Sequence, residues 1–172
     1  MPKIIDDPRG KLIAEARRQI ETVGYSAMTV RSVARECGLG VGTVYNYFPS
    51  KDALVASFML EDWRECMAAV AEVGETAPDA RPVVRCIYDQ LRLYAARHEG
   101  LFRDSAAAAA FAGAFSRYHA MLRAQLSAPL RHYCADDFTA DFAAEALLTW
   151  TMAGAEFDAL YDPLSRVLET KK

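Results

Sequence analysis

The sequence predicts an all-α protein: a three-helix head followed by a longer helical body. Three observations carry this prediction. Apolar residues recur at three- and four-residue spacing through nearly the whole chain. No stretch sustains the two-residue alternation of β-branched side chains that a half-buried strand requires. Proline and glycine gather between the periodic stretches, and alanine, the strongest helix former, fills positions 106–110.

The first helix is expected from about Pro8 to Val23, with Leu12, Ala16, Ile20 and Val23 on one face and Gly24 as its C-terminal cap. Thr29 has the side chain of an N-cap. Met28 before it and Val33 after it are spaced as a hydrophobic staple for a short helix from Val30 to about Cys37. Gly38 stops that helix. A third short helix starts near Val41 or Gly42 and ends before Pro49. Ser50 caps a fourth helix, Lys51 to about Val73, with Asp52 at its positive end. Leu54 and Phe58 are placed towards the head, and Val55, Met59, Trp63, Met67 and Val70 form a second seam towards the body.

A loop is expected over 74–82, then a fifth helix from about Arg81 to His98 carrying Val84, Ile87, Tyr88, Leu91 and Tyr94. Leu101–Ser105 reads as a short helical turn and Ala106–Leu126 as a long helix, with a kink or break at Pro129. A further long helix starts at Asp136 or Asp137. Its stripe runs through Phe138, Phe142, Thr149, Ala153, Phe157 and Leu160, beside a second one of Leu147, Trp150 and Tyr161. Asp162-Pro163 caps a short last helix.

At 172 residues, the chain is one domain or a small domain fused to a larger one. Its composition is that of a globular protein: 52% apolar and 25% charged. No apolar run reaches the roughly 18 residues of a membrane helix, and the N-terminus lacks the apolar core of a signal peptide, so a cytoplasmic protein is expected. Cys37, Cys66, Cys86 and Cys134 are scattered as reduced core thiols would be. The net charge of −3 argues against a globally basic nucleic-acid binder, but it is unevenly spread. Residues 1–60 sum to +2 and residues 61–172 to −5, which suits contact with a polyanion at one end only.

The stretch Thr29–Lys51, TVRSVARECGLGVGTVYNYFPSK, carries the functional reading. Two short helices joined by a turn at Gly38 form a helix-turn-helix. Ala34 is small enough for the helix crossing, and Val33, Leu39, Val44 and Phe48 fix it. The other face of the second helix holds Gly42, Thr43, Tyr45, Asn46 and Tyr47, suited to a major groove. Asparagine can pair bidentately with adenine, and threonine can bond a base edge or touch a thymine methyl. Gly42 lets backbones approach closely. The tyrosine hydroxyls, Lys51 and the Thr29 cap suit phosphate oxygens. Arg31 and Arg35 suit either phosphates or a solvated helix face.

On these residues the chain resembles the TetR family of transcriptional regulators. The resemblance rests on Thr29, Ala34, Gly38, Gly42-Thr43-Val44-Tyr45, Tyr47-Phe48, Ser50-Lys51 and Leu54, and covers about the first third of the chain. It implies a DNA-binding domain over 1–49 and a helical ligand-binding and dimerisation domain over 50–172. The family often has Ser-Lys before Gly-Thr where this chain has Gly40-Val41, which removes a phosphate contact or adds an apolar touch on a thymine methyl. The implied function is a repressor, acting as a homodimer on palindromic double-stranded operator DNA and released by a small, largely apolar effector. A helical adaptor that keeps the fold without reading DNA is the alternative.

In the body, Trp63, Met67, Tyr88, Phe111, Phe115 and Tyr118 are the candidate ligand-binding residues, although plain core packing is the commoner role for any one of them. No catalytic residue, cofactor or metal is expected: His98, His119 and His132 have no companions at ligand spacing, and no hydrolase, zinc-protease or phosphate-loop motif is present.

Overall fold

The computed structural model describes residues 6–168, with the side chains of Ala114, Phe115 and Ser116 outside that description. Among the described residues are nine α-helices, one 3-10 turn and no strand. In chain order the helices are α1 (Pro8–Ala27), α2 (Val30–Glu36), α3 (Val41–Tyr47), α4 (Lys51–Thr76), α5 (Ala80–Arg97), α6 (Glu99–Phe102), α7 (Ser105–Leu130), α8 (Asp137–Met152) and α9 (Phe157–Leu168); the 3-10 turn Arg131–Tyr133 follows α7. They pack as two units. The head holds the described residues up to Glu61 together with His98–Gly113, and the body holds Asp62–Arg97 together with the described residues from Ala114 onward.

In the head, Asp7 opens α1 by accepting the Gly10 amide at 2.9 Å, and Pro8 sits in the first turn, where no helical partner is needed. Leu12, Ile13, Ala16 and Ile20 are buried. The helix does not stop at Val23. It kinks at Gly24, whose φ of 83° suits glycine, and continues to Ala27. The kink turns Tyr25 into the core and leaves Val23 57% exposed, correcting its place on the buried face. Thr29 caps α2 in a reciprocal pair: the Ser32 amide donates to Thr29 Oγ1 at 3.0 Å, and the Thr29 amide donates to Ser32 Oγ at 3.1 Å. Met28 and Val33 are both fully buried. Gly38, at φ 66°, makes the turn into α3.

The first part of α4 departs from its expected seam. Val55 is fully buried in the head core with Leu54 and Phe58, and Met59 packs against the same core. Positions i, i+1, i+4 and i+5 fall on one side of a helix, so a single core takes them all. Asp104 ties the start of α7 to the end of α1. It accepts the Ser26 amide at 3.2 Å and its hydroxyl at 3.1 Å, and caps α7 through the amides of Ala106 at 2.9 Å and Ala107 at 3.1 Å. The amide hydrogen bonds, that from Ala107 foremost, hold its carboxyl below the usual aspartate range. A lowered folded-state pKa stabilises the protein at neutral pH, and that contribution is lost as pH falls through the folded value. Asp104→Ala is therefore expected to be less stable than the parent at pH 7, with the gap closing in denaturant titrations as the pH falls below the ordinary aspartate range.

In the body, α5, α8 and α9 pack on one another. Ala140, Ala143 and Ala144 are fully buried on α8, and their small side chains permit close helix approach. The long helix expected over 136–160 is two helices. Gly154, at φ 88°, ends α8 after Met152, and α9 begins at Phe157. Pro129 does not break α7, because the helix ends one residue later at Leu130 and only its last turn loses a bond. Pro163 is not a helix start: it lies inside α9, on an exposed face where water can serve the carbonyl it leaves free.

The apolar stripes of α8 are also reassigned. Leu147 is fully buried within the body, whereas Phe138 is 79%, Phe142 55% and Trp150 59% exposed. Residues 140, 143, 144, 147 and 151 occupy one side of an α-helix, so 138, 142 and 152 fall on the opposite side, with 150 at its flank.

Candidate nucleic-acid interface

Two helices of seven residues each build the interface. Val33, Ala34, Val44 and Phe48 are buried in the head core, with Leu39 packed against it. With Val44 turned inward, α3 presents Gly42, Tyr45, Asn46 and Tyr47 to solvent, and Thr43 is half-buried. Tyr45 is 51% and Tyr47 44% exposed. The Tyr47 ring lies 6.4 Å, centre to centre, from that of Phe48, while among the described residues no side-chain hydrogen bond engages Tyr45 or Asn46. A Cβ built on Gly42 would meet nothing within 4 Å, so the fold itself does not require glycine there.

The surrounding cations divide by occupation. Arg31 is exposed and has no ion pair among the described residues, while Arg35 pairs with Glu36 at 2.8 Å. Arg9 bonds Glu61 and Ser57, each at 2.7 Å, Arg17 lies 4.8 Å from the Phe58 ring, and Arg18 pairs with Glu15 at 2.7 Å. Thr29 is exposed, but its hydroxyl is engaged by Ser32.

Lys51 was expected at a phosphate. In the head its ammonium donates to the Tyr25 carbonyl and lies 3.9 Å from the centre of the Tyr25 ring, where burial lowers its pKa. The Tyr25 hydroxyl in turn donates to Asp52, so Lys51 and Tyr25 anchor the start of α4 to the end of α1. Lys51→Ala is expected to destabilise the protein by about 1 kcal/mol while leaving the salt dependence of DNA binding unchanged. Thermal melts and a salt titration of binding check both halves.

The candidate ligand residues are divided between the two units. Phe111 belongs to the head, where its ring centre lies 6.2 Å from that of Tyr25. Trp63, Met67, Tyr88 and Tyr118 belong to the body, and the side chain of Phe115 lies outside the described residues. Trp63 is buried edge-on against Tyr94, with its indole N–H donated to Gln125. Tyr88 is buried, donates to the Ala155 carbonyl at 3.0 Å and accepts from Arg92 at 3.0 Å. Met67 is half-buried, and Tyr118 is 41% exposed. Both buried polar tips are thus satisfied by the protein itself. Among the described residues, no three of His, Cys, Asp and Glu stand close enough to hold a metal ion. Burial raises the thiol pKa of Cys37, Cys66 and Cys86, which makes them poor nucleophiles. No described helix is long and apolar enough to cross a membrane.

Residues 12–58 match the model of a family described as bacterial regulatory proteins, tetR family. The chain is 35% identical over 92 residues to the HTH-type transcriptional regulator BetI of Stenotrophomonas maltophilia (strain R551-3), covering 52% of this chain and 47% of that protein. It is 37% identical over 75 residues to the HTH-type transcriptional repressor Rv1474c of Mycobacterium tuberculosis (strain ATCC 25618 / H37Rv), covering 41% of this chain and 40% of that one. The aligned part thus spans about half the length of these curated relatives or less. Among solved structures, Salmonella enterica GusR is similar over 96% of this chain and 98% of its own, with TM-score 0.69 and 16% identity. Thermus thermophilus FadR, a TetR-family repressor solved in complex with lauroyl-CoA, is similar over 95% of both chains, with TM-score 0.62 and 17% identity. At these identities the likeness is one of fold.

Proposed function

We propose that the chain, whose residues 12–58 match the model of the tetR family of bacterial regulatory proteins, belongs to that family and is a ligand-responsive transcriptional repressor acting as a homodimer on palindromic operator DNA. The observation that carries this reading is the outward face of α3. Gly42, Tyr45, Asn46 and Tyr47 are exposed on a helix whose inward side is fully committed to the core. In this reading residues 1–49 carry the DNA contacts, and residues 50–172 carry ligand binding and dimerisation. Asn46 and Thr43 read base edges, Gly42 admits close backbone approach, and Arg31 and the two tyrosines reach phosphates.

A single helix reads too few base pairs to define a site, so two copies are needed. The exposed face of α8, with Phe138, Phe142 and Met152 and with Trp150 at its flank, is the surface a second copy covers. The effector is a small, largely apolar molecule taken up by the body, with Trp63, Met67 and Tyr88 in its wall. A hundredfold loss of DNA affinity requires about 2.7 kcal/mol of differential effector binding between the two states. Competition binding on the DNA upstream of the chain's own gene tests the reading. Specific retention that an effector releases is expected, and equal affinity for unrelated DNA overturns it in favour of the adaptor.

A further inference from the structure

On the surface of the body, where α5 and α9 meet, an open cleft of about 470 Å³ is lined by Asp79, Arg81, Pro82, Arg85 and Phe157. It shares none of the candidate ligand residues. We propose that it is a second binding site, for small aromatic monocarboxylates, independent of the reading of the head.

The argument starts from how the two guanidinium groups are held. Arg81 and Arg85 are one helical turn apart on α5, so they project from the same face. The Arg81 guanidinium carbon lies 4.6 Å from the centre of the Tyr161 ring, and that of Arg85 lies 4.7 Å from the centre of the Phe157 ring. Phe157 and Tyr161 are themselves stacked, with ring centres 5.5 Å apart. Stacking restrains a guanidinium through its face and leaves its N–H edge available to an anion, an arrangement that lysine cannot reproduce.

Those edges are only partly used. Arg85 bonds Asp89 through Nε at 2.9 Å, and Arg81 bonds Asp158 through one terminal nitrogen at 3.2 Å. Both pairs are solvent-exposed and contribute little, so a ligand can compete with them. The two terminal nitrogens of Arg85 and the remaining N–H groups of Arg81 can receive a carboxylate. Pro82 and the exposed edge of Phe157, whose ring is otherwise packed by Tyr161, Tyr88 and Arg85, supply the apolar part of the lining. Asp79, whose carboxylate accepts the Arg81 backbone amide at 2.9 Å, places a negative charge in the lining. One carboxylate on the ligand is matched by the arginine pair once it displaces Asp89 and Asp158 from them, and a second would meet Asp79. The cleft therefore selects monoanions over dianions.

The test titrates benzoate, phthalate and benzyl alcohol into the full chain at pH 7, followed by two-dimensional NMR. Benzoate is expected to saturate in the millimolar range with shifts confined to α5 and α9, and to bind at least tenfold more tightly than phthalate or benzyl alcohol. Arg81→Gln/Arg85→Gln should lower benzoate affinity at least tenfold. Both side chains are more than half exposed, so an unchanged melting temperature shows that the fold is kept. Asp79→Asn should narrow the gap between phthalate and benzoate. Unsaturated benzoate shifts, equal binding to the double variant, or benzyl alcohol binding as tightly as benzoate would each overturn the proposal. Phthalate matching benzoate on the parent chain would overturn the selection assigned to Asp79.

Discussion

Phe142→Arg combined with Trp150→Arg is expected to yield a folded monomer that has lost at least a hundredfold in operator affinity. Both side chains are more than half exposed in the single chain, so the substitutions remove little packing within the body. In a dimer, the same positions would place two arginines in each half of an apolar seam. Unpaired charges there cost several kcal/mol, enough to separate the subunits at micromolar concentration. Operator affinity falls because one α3 helix no longer arrives with a second at the spacing of a DNA turn. Sedimentation gives the mass, circular dichroism the fold, and DNA titration the affinity. A dimer that survives both substitutions would place the subunit contact elsewhere. Leu147→Arg is expected to behave differently, because Leu147 is fully buried in its own chain. A charge forced into that site unfolds the body, and the variant should be insoluble or molten rather than a clean monomer.

Asn46→Ala is expected to lose about 1–3 kcal/mol on the specific site and to relax the preferred sequence at one position in each half-site. Thr43→Ala should act in the same direction, with a smaller loss where threonine touches only a methyl group. Neither should change stability measurably: Asn46 is exposed, and Thr43 is half-buried on a helix fixed by Val44. Gly42→Ala provides a different reading. A Cβ there meets nothing in the protein, so any loss of DNA affinity reports close approach of the DNA itself. Selection from a random DNA pool checks all three. An unchanged preferred sequence for Asn46→Ala would remove it from base reading and leave it at the backbone.

The head was legible because its signals are local. The Thr29 cap, the Met28 and Val33 pair, the glycine turn at Gly38 and the inward set Val33, Ala34, Val44 and Phe48 act within a few residues of one another, and the structure places each as read. The outward face of α3 then follows by helical geometry alone. The body was less legible, since nearly every face of α8 carries large apolar residues and periodicity cannot choose among them. Only packing against α5 and α9 decided that the alanines and Leu147 go inward and that Phe138, Phe142 and Trp150 remain outside.

Local signals were overridden in a second way where glycine and proline have two possible roles. Gly24, placed by sequence as a cap, is a kink, while Gly154, inside an expected helix, ends one. Pro163 was read as a start and sits inside α9. At both glycines the backbone adopts the role that buries the side chains beyond it, Tyr25 after Gly24 and Phe157 after Gly154. Lys51 shows the same principle for charge. Its spacing suits a phosphate, and the carbonyl and ring of Tyr25, brought beside it from 26 residues away, give the ammonium partners within the head. By itself, the sequence determined the helical class, the order of the short helices and the side chains offered by α3, because these depend on contacts within a turn or two. Tertiary structure decided which apolar faces are core, which cations are occupied and where α5 and α9 leave a cleft, because these depend on partners distant in the chain.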